Sequence, residues 1–138
     1  MSSVIKKNQS PHRFTTLDLI LDCYEHTTNV IANPKFDQCR MLKERIDYEA
    51  SMIYHCCRTA NEDYDNRKED EAKIRIKLQK DAIEHCLWLK TDIRLAQRKL
   101  HLRASKVTFW NSKVNIALES IKAWNISEVR SFKEKHGL

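Results

Sequence analysis

Between Lys35 and His136 this sequence contains neither glycine nor proline; its single glycine is Gly137 and its two prolines are Pro11 and Pro34. The absence excludes much. Tight turns with positive φ, and loops that bring backbone against a phosphate or cofactor, penalise any residue with a Cβ, so glycine-rich nucleotide-binding loops and hairpin-dominated sheets are ruled out. No P-loop, G-x-G-x-x-G, H-E-x-x-H or G-x-S-x-G pattern occurs, and an enzymatic role is not expected. No apolar run approaches the ~18 residues of a membrane span, and Met1 to Gln9 is polar and basic without an apolar leader core. A soluble, cytoplasmic protein is therefore expected. Five cysteines, Cys23, Cys39, Cys56, Cys57 and Cys86, are an odd number without framework spacing and read as buried thiols.

What remains is helix. With 138 residues the chain makes one domain with a modest core, and a formal net charge of +6 favours acidic partners, nucleic acid above all. Residues 1–13 read as a basic arm carrying Lys6, Lys7 and Arg13 and no acid. Thr15 and Thr16 offer N-cap oxygens, and Leu17, Ile20, Leu21, Tyr24, Thr28 and Ile31 follow at spacings of three and four, one stripe of an amphipathic helix that Asn33-Pro34 ends. A second helix from about Asp37 carries Cys39, Leu42, Ile46, Ala50, Ile53, Cys57 and Ala60, and Asn61 to Asp70 reads as a charged turn. The third carries Ile74, Leu78, Ala82, Leu89, Ile93, Ala96 and Leu100. Ser105 would cap a fourth, whose seam is Val107, Trp110, Val114, Ala117, Ile121 and Trp124.

The expected fold is all-α, an antiparallel up-down-up-down four-helix bundle over residues 14–124, followed by a polar basic tail over 125–138 that is either a short helix capped by Ser127 or frayed. Ile76, Ile83, Leu87 and Trp88 on the third helix, and Phe109, Ile116 and Leu118 on the fourth, exceed what one core needs, so self-association is expected.

Chemistry-bearing residues are sparse. Of three Cys/His pairs only Cys23 with His26 has a spacing that places both on one helical face; His55 with Cys56 and Cys57, and His85 with Cys86, diverge by about 100° around a helix. Buried thiols beside partly exposed histidines account for them, and no metal or cofactor is expected. Asp81, Glu84 and Asp92 read as solvated acids or partners of nearby bases. The basic residues are better organised. Lys90, Arg94 and Arg98 recur every four residues, Lys99, Arg103 and Lys106 continue through the following turn beside His101, and Asp92 is the only acid between Lys90 and Lys106. Such a stripe suits successive phosphates of a nucleic-acid backbone; its alternative is a solvated helix face with charge that favours the helix C-terminus. Lys73, Arg75, Lys77 and Lys80 form a weaker candidate mixed with acids. Base-specific motifs are missing, and the tryptophans read as core or interface residues.

The order of features resembles a known family. Arg13-Phe14-Thr15-Thr16-Leu17, then Asn33-Pro34-Lys35-Phe36-Asp37 leading into Leu42-Lys43-Glu44-Arg45-Ile46, resembles the first helical hairpin of the accessory variability determinant (Avd) family of diversity-generating retroelements. Leu87-Trp88-Leu89-Lys90-Thr91-Asp92-Ile93-Arg94-Leu95-Ala96 is similar to its leucine-rich third helix, and Leu102-Arg103-Ala104-Ser105-Lys106 with Glu119-Ser120-Ile121 and Trp124 to its closing helix. The resemblance implies a non-enzymatic accessory subunit that assembles into a basic homopentamer, binds a reverse transcriptase and engages template RNA or cDNA during mutagenic copying. Arg94 is the residue it carries over most directly. A purely structural oligomerisation module, and a bundle of the type encoded by ribosomal-RNA intervening sequences, are the alternatives.

Overall fold

A computed structural model describes residues 11–137, which form four α-helices: α1 (Pro11–Ile31), α2 (Arg40–Asp63), α3 (Glu69–Leu100) and α4 (Ala104–His136). A 3-10 turn, Pro34–Cys39, lies between α1 and α2, and among the described residues there is no strand. α1 packs on α2 and α4, and α3 packs on the same two helices. Ile20 and Cys23, Ile46 and Cys57, Leu89 and Ile93, and Trp110, Val114 and Ile121 meet in one continuous core.

The breaks between helices follow from side-chain chemistry rather than from glycine. Asn33 Oδ1 accepts the Lys35 N–H at 2.9 Å and Pro34 begins the 3-10 turn, where its missing N–H is not needed. That turn lowers Phe36 into the core, 1% exposed, edge-on to Trp110. After α2, Arg67 holds both carboxylate oxygens of Asp65, and Glu71 accepts the Asp65 N–H at 2.8 Å. Glu69, Asp70 and Glu71 then place negative charge on the first turn of α3, where the helix dipole favours it. Between α3 and α4 the chain takes the left-handed conformation at His101 (φ 53°, ψ 48°), and the N–H groups of His101 and Leu102 both donate to the Gln97 carbonyl. This is a Schellman end, for which glycine is the usual residue.

Cross-helix bonds tie the elements together. Thr16 and Ser120 hydroxyls lie 2.6 Å apart, Trp110 Nε1 donates to Thr27 Oγ1 at 3.0 Å, and Lys113 donates to Asp22 at 2.7 Å, all between α1 and α4. Arg45 pairs with Asp92, and His85 with Glu49, between α2 and α3.

Several parts of the chain differ from the sequence expectation: α2 begins at Arg40 after the 3-10 turn rather than near Asp37, and Ser105 lies inside α4, whose N-cap is Arg103. The basic arm expected over 1–13 lies outside the described residues as far as residue 10, and Pro11 opens α1, so Thr15 and Thr16 sit inside the helix rather than at its cap. Thr16 is fully buried against α4, which is why its hydroxyl does not serve as a cap. The charged turn is shorter than Asn61 to Asp70, because α2 runs to Asp63 and α3 begins at Glu69.

The segment 125–138, read as a tail, continues α4 without a break through His136. It changes how α3 is oriented. Asn125, Glu128 and Phe132 are buried, and facing them α3 buries Ala72, Arg75 and Gln79, while Ile74 is left 40% exposed. Arg75 Nη1 donates to the carbonyls of Ala60 (2.6 Å) and Tyr64 (2.9 Å), and its Nη2 to Glu128 Oε1 (2.8 Å). Gln79 also donates to Glu128, and Asn125 donates to Gln79 Oε1 at 2.9 Å. A polar helix end on α4 thus selects polar residues on α3, since buried charge is tolerated only when paired and hydrogen-bonded.

Candidate nucleic-acid interface

The C-terminal half of α3 carries Lys90, Arg94 and Arg98 on successive turns, with Lys99 in the last turn and Arg103 and Lys106 across the Schellman end. Lys90 is half-buried and the other five are exposed. None of the six forms an ion pair among the described residues. Elsewhere several bases are paired, Lys43 with Asp37, Arg58 with Glu62, Lys113 with Asp22 and Lys122 with Glu119, whereas Lys35 and Arg40 form no ion pair among the described residues either. What sets the stripe apart is the number of such bases close together in the chain.

Asp92, the one acid within it, does not offset that charge. Its side chain is 1% exposed and turned toward α2, where Arg45 holds it. Burial raises its carboxyl above the ordinary range, against the pull of the Arg45 charge and with a further push from Glu49. Asp92 and Lys90 lie on opposite flanks of α3, as a spacing of two residues, about 200° around a helix, requires.

The weaker candidate dissolves. Lys73 pairs with Glu69 at 3.5 Å, Lys77 with Asp81, and Arg75 is buried, which leaves only Lys80 of these four without an ionic partner among the described residues. Of the three acids read as solvated or paired, Asp81 holds Lys77, Glu84 is exposed at the surface of α3 and Asp92 is buried. A further set of bases without ion pairs among the described residues, Arg130, Lys133 and Lys135, lies on the last turns of α4 with Glu134 among them.

The cysteines are free thiols, four buried and Cys39 partly so. Burial pushes the Cys23 thiol up to about 11, and raises Cys56, Cys57 and Cys86 as well, so these side chains stay protonated and act as small apolar groups. His26 does not close on Cys23 but rests edge-on against Phe109, with ring centroids 5.1 Å apart. Among the described residues no three His, Cys, Asp or Glu side chains gather as metal ligands.

One feature near the stripe had no signal in the sequence. At the end of the domain where α1, the 3-10 turn and the start of α4 meet, a cavity of about 470 Å³ opens between Phe36, Leu102, Val107 and Trp110, with His26 and Phe109 at its mouth. Lys106, the last base of the stripe, is part of its wall. Residues so far apart in sequence carry no common spacing, and only the packing of α1 on α4 brings them together.

The apolar surplus on α3 and α4 divides. Leu118 is buried and Ile83 packs partly against the core, whereas Leu87, Trp88, Phe109, Ile116 and Ile126 are exposed, Trp88 to 53% and Ile126 to 60%. No helix among the described residues is long and apolar enough to cross a membrane.

The class defined by fold and surface is thus a four-helix protein with an unneutralised basic face at one end. Comparison with known proteins finds no matching family model, no similar curated protein and no similar solved structure.

Proposed function

We propose that this protein is a non-enzymatic, nucleic-acid-binding accessory subunit, a four-helix bundle of antiparallel up-down-up-down order that works as a homo-oligomer in the cytoplasm. The observation that carries the reading is the set Lys90, Arg94, Arg98, Lys99, Arg103 and Lys106, a surface of one sign with no carboxylate among the described residues paired to any member. Arginine and lysine spaced at fixed backbone intervals on a helix can meet successive phosphates, and neutralising those phosphates releases condensed counterions, which drives binding. The helix order is supported by cross-helix pairs whose numbers run in opposite senses, Arg45 with Asp92 and Glu49 with His85, then Thr16 with Ser120 and Asp22 with Lys113.

The resemblance to the Avd family supplies the setting: a reverse transcriptase as protein partner, and template RNA or its cDNA as ligand, in a diversity-generating retroelement, with five subunits per assembly. The test is charge reversal. Lys90→Glu, Arg94→Glu and Arg98→Glu together should remove most of the salt-sensitive affinity for single-stranded RNA, and flatten the slope of log K against log salt by ~0.7 for each phosphate no longer neutralised, while circular dichroism and oligomer mass stay unchanged. Binding that persists with the same slope would sink the assignment of the stripe.

The exposed Leu87, Trp88, Ile116 and Ile126 favour a second reading, an oligomerisation module whose basic charge serves solubility. It expects no measurable affinity for RNA or DNA at moderate salt.

A further inference from the structure

We propose that the cavity between α1, the 3-10 turn and the start of α4 receives one unstacked base of a single-stranded nucleic acid whose phosphates lie along the basic stripe; this rests on the nucleic-acid reading of that stripe. The volume, about 470 Å³, falls within the range of small-ligand pockets, and the floor is apolar. Phe36 and Trp110, each 1% exposed and edge-to-face at 6.2 Å between ring centroids, lie beneath the lining as its packed base, and a planar heterocycle entering the cavity meets the less buried Val30, Leu102 and Phe109.

The mouth fits a base for three reasons. Phe109, 54% exposed, and the His26 ring standing perpendicular to it offer faces and edges for stacking, the interaction by which unpaired bases are commonly held. Asn29 and Asn33 line the opening with amide groups able to donate and accept at a base edge; Asn33 uses Oδ1 for the Lys35 N–H and keeps its Nδ2 for other partners. No carboxylate lines the cavity, and Lys106 stands in its wall without an ion pair among the described residues, so a phosphate is admitted beside the base. Burial first, and then the nearby Lys113 charge against Asp22, lower the basicity of His26, which leaves a neutral ring suited to stacking.

Continuity selects the occupant. Lys106 belongs at once to the stripe and to the cavity lining, so a strand whose backbone is held by Lys106 lies beside the opening. An apolar side chain of a protein partner would use the apolar lining but leave the asparagines and Lys106 unanswered.

The experiment compares a fluorescein-labelled single-stranded RNA with an abasic ribose-phosphate oligomer of equal length, by fluorescence anisotropy on the full chain. The RNA should bind roughly 5-fold to 150-fold more tightly, the range for stacking one base. His26→Ala and Phe109→Ala, both at partly or largely exposed positions, should bring RNA affinity toward that of the abasic oligomer while leaving abasic affinity and helicity unchanged. Arg94→Glu should weaken both ligands alike. Equal affinity for RNA and abasic oligomer, with binding still lost on Arg94→Glu, overturns the base pocket and leaves the nucleic-acid reading standing. A loss on Phe109→Ala that is the same for both ligands overturns it too, and absence of binding to either ligand overturns both proposals.

Discussion

Arg75 shows how far one side chain's role depends on its surroundings. In sequence it is one more base among Lys73, Lys77 and Lys80, yet in the fold it is 2% exposed and joins α2, α3 and α4 through two carbonyls and the Glu128 carboxylate. Removing one partner of a buried pair strands the other charge, so Arg75→Met should destabilise the domain by ~3–5 kcal/mol, read as a lowered urea midpoint at neutral pH. Glu128 carries the matching pH signature. Burial by itself would raise its carboxyl, but the hydrogen bonds and charge of Arg75, with help from Gln79, outweigh burial and hold it below the usual glutamate range. A depressed folded value contributes stability that is complete above the unfolded value of about 4.3 and is lost as pH falls through the folded one. Glu128→Gln should therefore be less stable than the parent at neutral pH and equal to it once the pH lies below the depressed value. Asp92 has the opposite sign, since its raised carboxyl makes its contribution decline as pH rises through the carboxylate range.

At the level of elements, the α3–α4 junction is where the absence of glycine is felt. His101 adopts φ 53° with a Cβ present, a conformation that disfavours any L residue by roughly 1–2 kcal/mol, and the two hydrogen bonds to Gln97 hold it there. His101→Gly should relieve that strain and, after allowing for the greater freedom of glycine in the unfolded chain, stabilise the protein by about 1 kcal/mol. Thermal and urea denaturation would both register the gain; a loss of stability would mean that packing of the His101 side chain outweighs the backbone strain. The same junction matters for binding, because Lys99, Arg103 and Lys106 flank it, and a sharp, hydrogen-bonded turn keeps their spacing fixed.

For the molecule as a whole, the proposed self-association rests on the outer faces of α3 and α4, where the large apolar side chains of Trp88, Leu87, Ile116 and Ile126 are exposed. Light scattering should return a multiple of 16.4 kDa, fivefold if the Avd resemblance holds. Trp88→Glu combined with Ile116→Glu should lower that mass without changing helicity, since neither side chain belongs to the core. A monomeric parent protein would remove the assembly from the proposal and leave the basic stripe untouched.

The apolar periodicity was legible because an amphipathic helix repeats its buried positions every three or four residues. Ile46, Ala50, Ile53 and Cys57, or Trp110, Val114, Ala117, Ile121 and Trp124, are core positions readable without coordinates. The stripe was legible for the same reason, and the lack of breakers already required long helices. The inward turn of Arg75, Gln79, Asn125 and Glu128 was not, because polar residues on a buried face interrupt the apolar pattern and imitate a surface or a tail. Nor was the boundary of α1, where Thr16 exchanged a capping role for a partner on α4. The sequence by itself determined four helices, a buried apolar seam and a line of positive charge, all properties of single elements with a fixed repeat. Only tertiary structure decided that Asp92 turns inward and leaves the line unneutralised while Lys73 and Lys77 are paired, and that His26, Phe36, Lys106 and Trp110 border one cavity. Those facts depend on which helix faces meet, and contacts between residues distant in the chain have no local period to betray them.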